Sequence, residues 1–140
     1  MPVDPALIRD AAADAGLVVG EFSAPAGLPG PREMWKRFGE PLIRIPDERF
    51  DEVGEAWLRL ATANGTIGAG GRFLLSIDGG LPWLEVRTGD VPFRIDRLCD
   101  DGAGDPEFVA MAVDGSAWCA VTTEEYDTWL FAEPVVPVAG

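Results

Sequence analysis

Hydrophobic positions change their spacing near the middle of the chain, from a helical period in the first part to a strand period in the second. The clearest helical pattern is PDERFDEVGEAWLRLATANG, where Phe50, Val53, Trp57 and Leu60 recur three and four residues apart and share one stripe. Acidic side chains crowd its first turns, where the helix dipole favours them, and Asn64-Gly65 supplies a left-handed stop. A shorter helix is predicted over DPALIRDAAADAG. Asp4 suits its N-cap, Pro5 its first position and Gly16 its end, with Leu7, Ile8, Ala11 and Ala15 near one face. Between the two, LVVGEF (17–22) reads as a strand. SAPAGLPGPREM (23–34), with its prolines and glycines close together, reads as a surface loop.

After TIGAGG the pattern has a period near two. RFLLSID, LPWLEVRT, VPFRIDRL, EFVAMAVD and AWCAVTT are short, rich in valine, isoleucine and aromatic residues, and separated by GG, GD, DDGAGD and DG. Strict alternation in VPFRIDRL would put Phe93, Ile95 and Arg97 on one side and Arg94, Asp96 and Leu98 on the other. Val113 to Ser116 fits a tight hairpin. EEYDTWLFAEPVVPVAG reads as either one helical turn or a last strand, followed by a tail over 134–140. The predicted architecture is one α+β domain over 1–140. An antiparallel β-meander of four to five strands packs against one main helix at 47–63, with a short N-terminal helix besides.

Composition narrows the possible functions. Hydrophobic residues make up 47 % and charged residues 25 %, the profile of a soluble globular protein. No apolar run approaches the roughly 18 to 20 residues of a membrane span. MPVDPALIRD carries acids where a secretion signal would carry lysine or arginine, so the expected location is cytoplasmic. Cys99 and Cys119 are too few for a disulfide scaffold. In that compartment they are expected to be reduced, with one bridge between neighbouring strands as the alternative. Asp and Glu total 24 against 11 Lys and Arg, a formal charge of −13. A field of that sign repels nucleic acid and anionic membranes and speeds encounter with a basic protein. Plain solubility is the competing account of the same charge.

The chain has no histidine, which removes serine–histidine and cysteine–histidine nucleophile systems and histidine zinc sites. CDDGAGDPEF (99–108) is rich in acids, yet Asp100, Asp101, Asp105 and Glu107 do not follow the alternating ligand spacing of a calcium loop. A solvated turn and a binding edge are the readings that fit it. GTIGAGGRF has the glycines of a phosphate cradle, but a helix precedes it and a strand follows, the reverse of the required order. No cofactor, metal or catalytic residue is therefore assigned. Two rival readings remain. One is a small enzyme or ligand-binding domain using Asp96 or Glu85 in a pocket lined by Trp83, Trp118 and Phe93. The other is a structural subunit of a larger assembly.

Two segments resemble the SUKH superfamily of bacterial toxin-immunity proteins. RIPDERFDEVGEAWLRLATANG (44–65) is similar to the family's helix that opens on a leucine–proline element and closes on asparagine–glycine. LCDDGAGDPEFVAMAVDG and TTEEYDTWL are similar to its later run of an acidic turn, a strand and a segment bearing Glu-aromatic. Pro134 and Pro137 cut short the long closing helix of the family, and the spacing between the segments is compressed. The resemblance implies a mixed α+β fold, no enzymatic activity and a toxin as partner. Residue pattern and resemblance together lead to an acidic module, monomeric or weakly dimeric, that binds and blocks a basic protein. Its candidate contacts are Asp100, Asp101, Asp105 and Glu107 in one loop, Glu48, Asp51, Glu52 and Glu55 on the main helix, and Glu124 and Glu125 near the C-terminus. Trp35 and Trp129, flanked by charged residues, are candidate aromatic anchors or caps on the core.

Overall fold

A computed structural model describes residues 4–77, 79–95, 98 and 107–135. The α+β class holds, with more strands than the periodicity predicts. Helix α1 (Pro5–Asp14) leads into β1 (Leu17–Ser23), followed by a short helix α2 (Pro31–Trp35) and β2 (Ile43–Pro46). A 3-10 turn (Asp47–Glu52) runs into α3 (Val53–Ala63). Then come β3 (Arg72–Ser76), β4 (Trp83–Thr88), β5 (Phe108–Met111), β6 (Trp118–Thr123) and β7 (Asp127–Glu133). The strands form one seven-stranded sheet in the order β1-β4-β3-β5-β6-β7-β2, antiparallel at every pairing. The early strands β1 and β2, which the meander reading left out or left unplaced, close its two edges. The last segment is a strand, not a helical turn.

The sheet is not a plain meander either. β4 and β5 both pair with β3, on opposite sides, so the chain between them must cross over. That crossover contains VPFRIDRL, which is not a strand over its described residues. Pro92 interrupts it, and the Arg94 amide donates to Ala15 O (2.7 Å), a bond to the end of α1 and not to a sheet neighbour. The Leu98 amide donates to Ile95 O (3.0 Å), and Ile95 and Leu98 enter the same core where strict alternation would have parted them.

One face of the sheet is covered by α1, α3 and, from this crossover, Phe93, Ile95 and Leu98. Trp57, fully buried, meets Phe73, Phe93 and Phe108 at ring centroid distances of 5.8, 5.3 and 5.3 Å. Asp4 caps α1 by accepting from the Ala6 amide (2.9 Å), and Gly16 and Gly65 take positive φ after their helices, as the sequence predicts. The buried positions of α1 are Ile8 and Ala12, whereas Leu7 lies outside the core, one step round from the predicted face.

The other face is covered by the segment read as a surface loop. Its C-terminal part is helical, and Pro31 and Met34 are buried. Met34 joins Leu74, Trp83, Val109, Met111, Trp118, Ala120 and Phe131 in a second core, against which Leu28, Trp35 and Phe38 pack. Two indoles pin the strap down: Trp83 Nε1 donates to Pro29 O (2.9 Å) and Trp35 Nε1 to Ser76 Oγ (3.1 Å). Among the described residues no helix is long and apolar enough to cross a membrane.

A candidate acidic interface

Among the described residues, the segments that carry Glu48, Glu107, Glu124 and Glu125 meet the same end of the sheet. β2 and β7 pair in the register Pro46 to Asp127, so the start of the 3-10 turn stands beside the β6–β7 turn. The Asp47 amide donates to Tyr126 O (3.1 Å) and ties the two together. The 3-10 turn that bears Asp47, Glu48, Asp51 and Glu52 is thereby tied at its start to the turn that bears Glu124 and Glu125, although more than 70 residues part the two groups in the chain. Glu124 is held in place: its amide donates to Asp127 O (2.8 Å) and its carboxylate accepts from Thr122 Oγ1 (2.8 Å). Glu107 directly precedes Phe108, which pairs with Val121 near the end of β6, so it too lies at this end of the sheet. Asp100, Asp101 and Asp105, its companions in the predicted loop site, lie outside the described residues, as do Asp96 and Cys99.

Pairing divides the helix acids into two kinds. Glu52 takes a bidentate contact from Arg49 (2.7 and 2.9 Å), which holds its carboxyl below the usual carboxylate range and raises the arginine. Glu55 is bridged by Arg59 at 2.9 Å. Both pairs are exposed and local, so they neutralise charge more than they stabilise the fold. Among the described residues Asp47, Glu48, Asp51 and Glu125 have no ion-pair partner. These four carry the free negative charge of the corner. Beside them Tyr126 is 75 % exposed, a large amphipathic ring standing between acids. Sequence reasoning missed Tyr126 and Asp47 as members of the site. The only signal was a tyrosine between Glu125 and Asp127 in a turn, with nothing to place residue 47 beside it.

The two tryptophans do not join this corner as free anchors. Trp35 and Trp129 are both half-buried and pack onto the second core. Trp129 donates from Nε1 to Asp127 Oδ1 (2.9 Å) and carries the Arg44 guanidinium 4.9 Å from its ring centroid. Their role in the fold is to cap the sheet.

The rival pocket does not form. Trp83 and Trp118 belong to the second core, whereas Phe93 packs on Trp57 across the sheet, so the three cannot line one cavity. Strand parity is the reason: Trp83 and Leu84 face opposite sides, and Leu84 is the one that faces Phe93's core. Among the described residues no three potential metal ligands come together. Cys119 is a buried free thiol that contacts Thr66 Oγ1 (3.3 Å). Comparison with family models, with characterised proteins and with solved structures finds no match to the chain.

Proposed function

We propose that the protein is an acidic protein-binding module of the immunity or inhibitor type, which docks on a basic partner and blocks it. A toxin that cuts or modifies nucleic acid is the partner class with the right chemistry, because its cleft must be positive to hold a polyanion. The observation that carries this reading is the bond of the Asp47 amide to Tyr126 O, which joins the acid-rich 47–52 turn to the turn bearing Glu124, Glu125 and the exposed Tyr126. Carboxylates that form no ion pair among the described residues keep much of their field for an incoming cation, and the overall charge of −13 steers it there. An exposed tyrosine among them supplies the kind of rigid, part-apolar contact that interfaces favour at their centres. The resemblance of 44–65, 98–115 and 122–130 to the SUKH superfamily points the same way.

The test begins with affinity capture from the native host at low salt and identification of the bound protein by mass spectrometry. Association rates are then measured for the parent and for Glu48→Lys with Glu125→Lys, with far-UV circular dichroism confirming the fold. The double variant is expected to associate at least about tenfold more slowly, and the parent's rate to fall steeply as salt rises. A rate indifferent to both changes would overturn the proposal.

A further inference from the structure

We propose that Arg72 and Arg87 form a binding site for a small carboxylate at the opposite end of the sheet from the acidic corner. The register of β3 and β4 sets Arg72 directly opposite Arg87, so both side chains leave the same face. Like charges in that relation repel, and neither arginine has an ion-pair partner among the described residues. Arg37, Arg44, Arg49 and Arg59, by contrast, each sit three or four residues from a paired glutamate. In a chain with more than twice as many acids as bases, two adjacent unneutralised guanidinium groups stand out.

The backbone builds the site around them. Gly71 has φ +76°, and a Cβ there would run into Thr88 Oγ1. Only glycine lets the chain press against the end of β4 and enter β3 with Arg72 facing Arg87. On the other side, β1 breaks register between Val19 and Phe22. Gly20, within that irregularity, lies against Glu85, where a Cβ would stand 3.0 Å from the Glu85 carbonyl oxygen. Beside this close approach lies an open hollow of about 210 Å³ whose lining includes Val18, Gly20, Arg72, Glu85 and Arg87. That volume suits one small group and is below the roughly 300 Å³ at which drug-sized pockets begin.

The charges present select the ligand. Guanidinium groups offer paired N–H donors whose geometry matches the two oxygens of a carboxylate. Glu85 lies in the same hollow, two residues from Arg87 on one strand, and forms an ion pair with neither arginine. Its charge brings the hollow to a net +1, which fits a monoanion and disfavours a dianionic phosphate.

The experiment follows the arginine Nε–Hε resonances of ¹⁵N-labelled full-length protein during titration with acetate, and separately with inorganic phosphate, at constant ionic strength set by chloride. Saturable shifts of Arg72 and Arg87 with acetate are expected, weakened at least about tenfold in Arg72→Gln and in Arg87→Gln. Both variants lie on an exposed face and should keep the parent's backbone spectrum. Shifts that drift linearly without saturating, saturation by phosphate below the acetate concentration, or acetate binding unchanged in both variants would each overturn the site.

Discussion

The two faces of the sheet are both covered, but by opposite means. On one, α1 and α3 bury regular stripes around Trp57 with Phe73, Phe93 and Phe108. On the other, an irregular strap of residues 28–38 lays single side chains onto the strands. Phe38 stacks on Phe131 at 4.8 Å and on Trp118 at 5.7 Å, and Leu28 reaches Gly115 in the β5–β6 hairpin. A helix obtains its cover from periodicity and its internal hydrogen bonds. The strap has only the short helix α2, and beyond it depends on the bonds from Trp83 to Pro29 and from Trp35 to Ser76 to hold its path. Apolar area alone therefore does not rank the faces; how the covering backbone is held must be included.

Truncating one aromatic ring on each face tests that contrast most directly. Trp57→Ala removes a fully buried indole surrounded by three rings and is expected to cost about 3 to 5 kcal/mol in denaturant unfolding. Phe38→Ala removes a half-buried ring from a strap that can settle, and about 2 kcal/mol is expected. Equal losses at the two positions would mean that the strap is as tightly organised as the helical face. The same variants also separate the faces in hydrogen exchange. Phe38→Ala should release protection in 28–38 while leaving α3 protected, whereas Trp57→Ala should lower protection throughout.

This contrast also explains what was legible in the sequence. The helical face was readable because Val53, Trp57 and Leu60 repeat with a helical period and Asp4, Gly16 and Gly65 mark ends by local chemistry. The strap was not, because Met34 and Phe38 have no periodic company and the prolines around them signal loop whether the loop is exposed or packed. β2 was missed for a related reason: only four residues long, it owes its strand state to pairing with β7. The crossover failed in the other direction, since VPFRIDRL alternates like a strand while its partners are the end of α1 and Trp57. Of the site, the acidic groups could be named from sequence. Their meeting could not, because it rests on the Asp47–Tyr126 bond between distant segments.

Asn64 links the two modes of holding backbone, and its loss is expected to have the next largest effect. Sequence marks it only as part of a helix stop, but its side chain is buried and works across the fold. Nδ2 donates to Trp118 O (3.1 Å) and Glu133 O (3.4 Å), while Oδ1 accepts from the Thr66 amide (3.0 Å) and Thr66 Oγ1 (2.7 Å). It fastens the end of α3 to β6 and β7. Asn64→Ala leaves these buried groups unpaired and should cost about 2 kcal/mol. Asn64→Gly preserves a helix stop and removes the same bonds. If the glycine variant is as stable as the parent, the side-chain network contributes nothing beyond the stop.

The smallest effect expected is a dependence on pH that arises on the helical face alone. Burial pushes the Cys119 thiol from its ordinary 9.0 up to about 11, partly offset by its contacts with Thr66 and Asn64. The folded state therefore keeps the neutral thiol where the unfolded chain ionises it. Well below pH 9 the group adds no pH dependence; as pH rises from about 9 toward 11, ionisation lowers the free energy of the unfolded state and stability falls. At pH 10, one unit above the unfolded value, the loss is about 1 kcal/mol. Comparing Cys99→Ser with Cys99→Ser/Cys119→Ala at pH 8 and pH 10 isolates this residue. The excess loss should appear only where Cys119 is present, and labelling of its thiol should require unfolding. Rapid labelling of Cys119 in the native state at pH 8 would place the thiol at the surface and remove it from the core that α3 covers.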